Sequence, residues 1–234
     1  MSEYIFGKNV VKEAFNNPSR IEEIYVLDKN MEFVSLAKEY RIKYTVITPS
    51  EMNKMVSGNH QGVVALVKDY HYYSLSDIVK EDKNSLIVAL DGLEDPHNLG
   101  AILRTCEAAG IDGVILPKKR SVKLNSTVAK VSTGAIEYVK VVEVVNLTQT
   151  LKQLKNKGYW IIGAERSSKS SNIWELKYDM PIVLVIGSEG KGISRLVKEE
   201  CDFLVEIPMQ GKINSLNASV STGIMIYEIR RQQK

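Results

Sequence analysis

The sequence predicts an α/β protein, with a small N-terminal α/β domain followed by a larger domain built on a parallel sheet. Three observations carry this. Short, wholly apolar runs such as LIVAL (86–90) and IVLVI (182–186) are interleaved with segments of helical periodicity, the pattern of parallel strands covered on both faces. The interleaving runs on either side of one long polar interruption, KDYHYYSLSDIVKEDKNS (68–85). A chain of 234 residues, 44% hydrophobic and 25% charged, allows one large domain or two modest ones with a sizeable core, and excludes disorder as its main state.

Taken in order, Val10, Val11, Ala14 and Phe15 recur at helical spacing, IEEIYVL from Ile21 reads as a strand, and Phe33, Leu36, Ala37 and Tyr40 mark a second amphipathic helix. A strand follows over residues 44–48, Pro49 and Ser50 open a short helix, and GVVALV from Gly62 is a buried strand. These elements form a domain over residues 1–70. Residues 71–84 read as a linker in which SLSDIVKE suggests one short helix. From residue 85 to 234 the order is LIVALDG, a helix over 98–109, GVIL, a helix near Val128, YVKVVEVV, a helix over 147–157, WIIGAE, IVLVIGS, a helix from Gly192, the strand FLVEIPM, and a terminal helix in which Leu216, Val220, Ile224 and Tyr227 share one face.

Composition removes several function classes. Cys106 and Cys201 are too far apart for a CxxC or zinc framework, so neither a metal site nor a disulfide scaffold is expected. The N-terminus lacks the apolar core of a secretion signal and the longest apolar run is far short of a bilayer span, which gives the expectation of a soluble cytoplasmic protein without membrane contact. The net charge of +3 arises entirely after residue 80. Lys118, Lys119, Arg120, Lys123 and Lys130 fall in an acid-free stretch just after the strand GVIL. That run reads either as a phosphate-backbone contact or as a solvated loop.

Three segments at strand ends carry chemistry, because ligands of open α/β sheets bind there. The first, from Asp91, is DGLEDPHNLGAILRTCEAAG; Asn98 stands near a helix start and Arg104 lies six residues on, about 600° of helix rotation later, so the two side chains point in different directions. The second, GSEGKGIS (187–194), fits neither the P-loop, since Ile193 stands where lysine is needed, nor GxGxxG, since Arg195 replaces the third glycine. The third is IPMQGKINSLNASVSTG from Ile207, where Ser215 and Asn217 sit at a helix entry as ordinary caps would.

Together, NxxxxxR, GSEGxG and IPMxGxxxSLNxSxSxG, in this order and each at a strand end, resemble the three motifs of the SpoU (TrmH) family of RNA ribose 2′-O-methyltransferases, of the SPOUT superfamily. The N-terminal GKNVVKEAF and HQGVVALV resemble the small ribosomal-protein-like RNA-binding domain of many members, particularly those methylating a guanosine of 23S rRNA. The resemblance implies a trefoil knot in the C-terminal domain, S-adenosylmethionine held there largely by backbone at Gly187, Ile207 and Leu216, and catalytic surroundings of Asn98, Arg104, Glu189, Ser215 and Asn217. It also implies RNA as partner, contacted by Lys118, Lys119, Arg120 and Lys123, and a homodimer through the knotted domains. The segment ASVSTG after Asn217 departs from the valine and alanine more usual in relatives, which touches packing more than the polar set.

Arginine is effectively always protonated, so Arg104 is read as a group that fixes a phosphate and stabilises alkoxide charge before it is read as a base. Glu189 either orients Arg104 or holds the glycine loop. Tyr70, Tyr72 and Tyr73 either stack bases or pack a hinge, while His60 and His97 read as turn and surface residues. Alternative functions are a tRNA or adenosine-specific 2′-O-methyltransferase of the same family, or a non-catalytic ribosome-associated RNA-binding protein.

Overall fold

A computed structural model describes residues 2–233. The chain divides into two compact units, Met1–His71 with Leu124–Glu137, and Tyr72–Lys123 with Tyr138–Lys234. In the first unit, β1 (Ser2–Phe6), α1 (Lys8–Ala14), β2 (Ile21–Val26), α2 (Met31–Glu39), β3 (Lys43–Val46), α3 (Pro49–Met55) and β4 (Val63–Lys68) give a four-stranded sheet of order β1-β4-β2-β3. The pairs β1–β4 and β4–β2 are antiparallel, and β2–β3 is parallel. Val11, Phe33, Val34 and Ala37 of the helices, with Phe15 just after α1, close over Ile24, Val63, Ala65 and Val67. The α3 entry follows its sequence signals, because Thr48 and Glu51 form a reciprocal capping box with Pro49 in the first turn. Strand β1 is an addition to the sequence reading. Ile5 is its one fully buried residue, so the segment has little pattern of its own and becomes a strand by pairing with β4.

The second unit contains β5 (Leu86–Asp91), α4 (Pro96–Ala108), β6 (Gly113–Pro117), β7 (Val141–Val144), α6 (Leu147–Lys155), β8 (Trp160–Ala164), β9 (Ser171–Asn172), β10 (Ile182–Gly187), α7 (Arg195–Lys198), β11 (Phe203–Glu206) and α8 (Ala218–Gln232). Its seven strands run β7-β6-β5-β10-β8-β11-β9 and every pairing is parallel. Helices α6 and α7 place Leu151, Leu154 and Val197 in one core with Ile87, Ala89, Val183 and Val185. Helices α4 and α8 pack against each other and bury Leu99, Leu103, Met225 and Ile226. The intervening helix α5 (Ser126–Ser132) belongs to the first unit, whereas the sequence reading carries it with the second domain.

Three local readings change. The helix expected from Gly192 begins only at Arg195 and lasts a single turn. Residues 188–192 form a closed loop instead, with reciprocal backbone hydrogen bonds between Ser188 and Gly192 (3.1 and 2.9 Å) and left-handed backbone at Gly190 and Gly192. The linker's suggested helix is one 3-10 turn, Leu75–Asp77. On the terminal helix, Leu216 lies before the first turn, and Val220 and Tyr227 are exposed; the buried face is Ala218, Thr222, Met225, Ile226 and Ile229. The apolar stripe read from the sequence is therefore the outward one.

Candidate active site

The sheet's centre positions the site. β5 and β10 are adjacent, with Gly187 level with Asp91, and the chain builds outward from β5 to β6 and β7 on one side and through β8 and β11 on the other. Such a reversal of strand order opens a crevice at the carboxyl ends of the strands. A cleft of about 570 Å³ lies there, walled by Ala164 at the end of β8, Gly187 at the end of β10, Glu206 at the end of β11, the loop 188–192 and the segment leading into α8. That is ample for a small organic ligand.

Beside the cleft, three motifs meet through side chains. Asp95 caps α4 by accepting from the His97 amide (3.0 Å) and Pro96 occupies the first turn, which fixes Asn98 in a buried position. Asn98 Nδ2 donates to Glu189 Oε1 at 3.0 Å. Asn217 Nδ2 donates both to Asn98 Oδ1 (2.9 Å) and to Glu189 Oε1 (3.0 Å), and the Ala218 amide adds a third donor to that carboxylate oxygen (3.3 Å). The other face of Asn217 does what a cap does: its Oδ1 accepts from the Ser219 and Val220 amides. One amide side chain thus caps the start of a helix and joins the polar cluster. Among the described residues, Glu189 Oε2 accepts no hydrogen bond and the Ser215 hydroxyl makes none, although both residues line the cleft.

Glu189 therefore does not orient Arg104. That arginine is exposed on α4, does not line the cleft, and forms no hydrogen bond or ion pair among the described residues. The glycine loop is held chiefly by two carboxylates the sequence reading passed over. Asp91 Oδ2 accepts from the Ser194 amide (2.7 Å); Glu165 Oε2 accepts from the Ile193 amide (3.2 Å), and its Oε1 pairs with Lys198. The available signal was their place: each closes an apolar strand at the edge where ligands bind.

Gly187, Ile207 and Leu216 all line the cleft. A Cβ on Gly187 would stand 2.2 Å from the Gly192 carbonyl carbon and 2.4 Å from the Ile193 nitrogen, so the close approach of two backbones requires glycine there. Among the described residues, residues 207–216 form no backbone–backbone hydrogen bond, which leaves main-chain donors and acceptors for a ligand between the apolar side chains of Ile186, Ile207, Met209, Leu216 and Met225. Apolar walls with main-chain polar groups suit a nucleoside bearing a short polar tail.

Lys118, Lys119, Arg120 and Lys123 are exposed after β6, and none is ion-paired among the described residues. Their loop is tied down by hydrogen bonds from the Lys118 amide to Val144 (2.8 Å) and the Val122 amide to Leu93 (2.7 Å). Tyr70 is buried under the Arg20 guanidinium, 3.6 Å from the ring centre, which closes it to base stacking; Tyr73 packs against the second unit's core. Within the described residues no three His, Cys, Asp or Glu side chains converge as a metal site would require, and no helix is long and apolar enough to cross a membrane.

The models of two families match the chain: the SpoU rRNA methylase family over residues 85–227, and RNA 2′-O ribose methyltransferase substrate binding over residues 4–73. The chain belongs to the SpoU methylase family. It is similar to the putative TrmH family tRNA/rRNA methyltransferase YacO of Bacillus subtilis, 43% identical over 99% of this chain and 96% of that one, and to a putative TrmH family tRNA/rRNA methyltransferase of Staphylococcus saprophyticus, 46% identical over 98% and 95%. Among solved structures it resembles the AdoMet-bound rRNA methyltransferase of Sinorhizobium meliloti, with a TM-score of 0.84, 25% identity, and 98% and 87% of the two chains covered. The TrmH/SpoU tRNA modifying enzyme of A. aeolicus is 35% identical with a TM-score of 0.60, over 67% of this chain and 79% of that one. This SpoU methylase is an S-adenosylmethionine-dependent RNA methyltransferase, and the cleft fits that cofactor in size and lining.

Proposed function

We propose that this SpoU methylase methylates a ribose 2′-hydroxyl in RNA, with a guanosine of 23S rRNA as the target, and that it works in the cytoplasm. The observation carrying the reading is the Asn98–Glu189–Asn217 cluster at the cleft, combined with a substrate-binding match that occupies the N-terminal residues 4–73. The tRNA-modifying neighbour aligns with only about two thirds of this chain, which favours rRNA over tRNA.

S-adenosylmethionine, when bound, supplies an electrophilic methyl group on a sulfonium that leaves as a neutral thioether. The chain's own task is to place a weakly acidic alcohol in line and to accommodate the charge left as its proton departs. We assign Gly187, Ile207 and Leu216 to holding the cofactor. Asn98 and Asn217 fix Glu189 through Oε1, leaving Oε2 and the Ser215 hydroxyl free to meet a substrate donor or acceptor. Arg104 would grip a phosphate and stabilise alkoxide charge. Because it lies off its own chain's cleft while α8, packed beside α4, exposes Val220 and Tyr227, we assign it to the cleft of a second copy in a homodimer joined through the C-terminal domains. Lys118, Lys119, Arg120 and Lys123 would contact the RNA backbone. The trefoil knot implied by the family motifs would lie in the C-terminal domain.

Mapping 2′-O-methyl positions in total RNA from cells with and without the protein tests this reading. One ribose methylation of 23S rRNA should vanish with the protein, and purified protein should restore it on that RNA. Loss of a tRNA methylation instead would select the tRNA reading, and an unchanged map would overturn the assignment.

A further inference from the structure

The loop after β8 opens on a second groove, of about 560 Å³, lined by Arg166, Ser167, Ser168, Glu206 and Asn214. Three of these, Arg166, Glu206 and Asn214, also wall the main cleft, so the two spaces adjoin. The loop is braced by its own polar groups. Ser170 Oγ donates to the Glu165 carbonyl (2.6 Å), the Ser170 amide to the Ser167 carbonyl (3.1 Å), and the Lys169 amide to Ser167 Oγ (3.2 Å), which leaves Arg166, Ser168 and Lys169 exposed.

Arg166 is a cation without a committed partner. Its Nη1 reaches the side-chain and backbone oxygens of Asn214 only at 3.4 and 3.5 Å, the outer limit of a hydrogen bond, and it forms no ion pair among the described residues. The neighbouring Glu165 is already held by Lys198 and the Ile193 amide, and Glu206 shares the groove without closing on the guanidinium. An arriving anion would break no existing pair, while the Glu206 carboxylate limits how many anions the groove accepts.

We propose that Arg166 binds a backbone phosphate of the substrate RNA at the mouth of the cleft, with Ser168 and Lys169 beside it, and so positions the target ribose. The proposal rests on the reading of the cleft as the site of methyl transfer to RNA. A planar guanidinium can take two phosphate oxygens at once, and its pre-organised fork loses less freedom per hydrogen bond than a lysine ammonium would.

The test uses the full chain as wild type, Arg166→Ala and Arg166→Lys. RNA affinity is measured across a series of potassium chloride concentrations, cofactor affinity by calorimetry, and methyl transfer under steady state. Alanine should raise the KM for RNA by about tenfold and flatten the plot of log affinity against log salt by about 0.7, the share of one phosphate contact on a single strand, with S-adenosylmethionine affinity unchanged. Lysine should restore the salt slope and only part of the affinity. An alanine variant with wild-type KM and salt slope would overturn the proposal. A loss confined to cofactor affinity would overturn it too, by assigning the guanidinium to the carboxylate of S-adenosylmethionine. If the wild type binds RNA but methylates none, the methyl-transfer reading fails, and the salt-slope comparison still decides the phosphate contact.

Discussion

Asn217 separates helix capping from the catalytic role proposed for it, because its two polar atoms serve different partners. Its Oδ1 caps α8 through the Ser219 and Val220 amides, and its Nδ2 joins Asn98 to Glu189. Asn217→Ala removes both. Loss of the cap costs about 1 kcal/mol. Depriving Asn98 Oδ1 and Glu189 of a donor adds roughly 1 kcal/mol more, at the low end for two bonds because Asn217 and Glu189 are exposed. A total of about 2 kcal/mol in a chain of this size lowers the melting temperature by roughly 4–8 °C. Asn217→Ser keeps a good capping oxygen and deletes the amide donors, so it should cost only the roughly 1 kcal/mol of the lost link to Asn98 and Glu189. Both variants should slow methyl transfer by on the order of a hundredfold if the cluster positions the reacting groups. Scanning calorimetry beside a methyl-transfer assay reads both effects. Near-normal turnover of the serine variant would refute the catalytic part, and equal instability of the two variants would refute the capping part.

Gly187→Ala should abolish S-adenosylmethionine binding by calorimetry and destabilise the chain by about 1–3 kcal/mol, since the new Cβ meets backbone of Gly192 and Ile193 that cannot step aside; retained cofactor affinity would contradict the close approach. Arg104→Ala should leave stability within roughly 0.5 kcal/mol and cofactor affinity intact, because the side chain is exposed and unpaired among the described residues, yet lower turnover by on the order of a hundredfold. Mixing it with a Gly187→Ala chain, inactive by itself, should recover activity in mixed dimers, and no recovery at any ratio would count against action in a second copy's cleft. Burial pushes the Tyr70 and Tyr25 hydroxyls up to about 12, so the folded chain keeps protons that the unfolded chain releases near pH 10, and stability should be intact below pH 10 and fall between pH 10 and 12. Because the Tyr70 hydroxyl is buried with no hydrogen-bond partner among the described residues, Tyr70→Phe should keep or raise the unfolding free energy at pH 8 and weaken the alkaline decline, as urea titrations at several pH values would show.

Local chemistry by itself determined most of the fold. The wholly apolar runs at β5 and β10 had to be buried on both faces, and Thr48, Pro49 and Glu51 fix a helix start wherever they stand in this order. The candidate site was legible too, as three polar motifs each ending a strand. Tertiary structure alone decided which of those residues meet. Asn98, Glu189 and Asn217, far apart in the chain, converge because a parallel sheet aligns the ends of its strands, while Arg104, on the same helix as Asn98, is turned away by the helical pitch. Glu165 and Asp91 gain their role as braces only when the loop after β10 folds over them. The same holds for the stripe of Val220 and Tyr227, whose spacing specifies a helical face but not which side of the helix the core takes: Met225 and Ile226 claim the core by packing against α4, and the stripe is left outward. Periodicity encodes which residues share a face, and burial depends on what the rest of the chain brings to it.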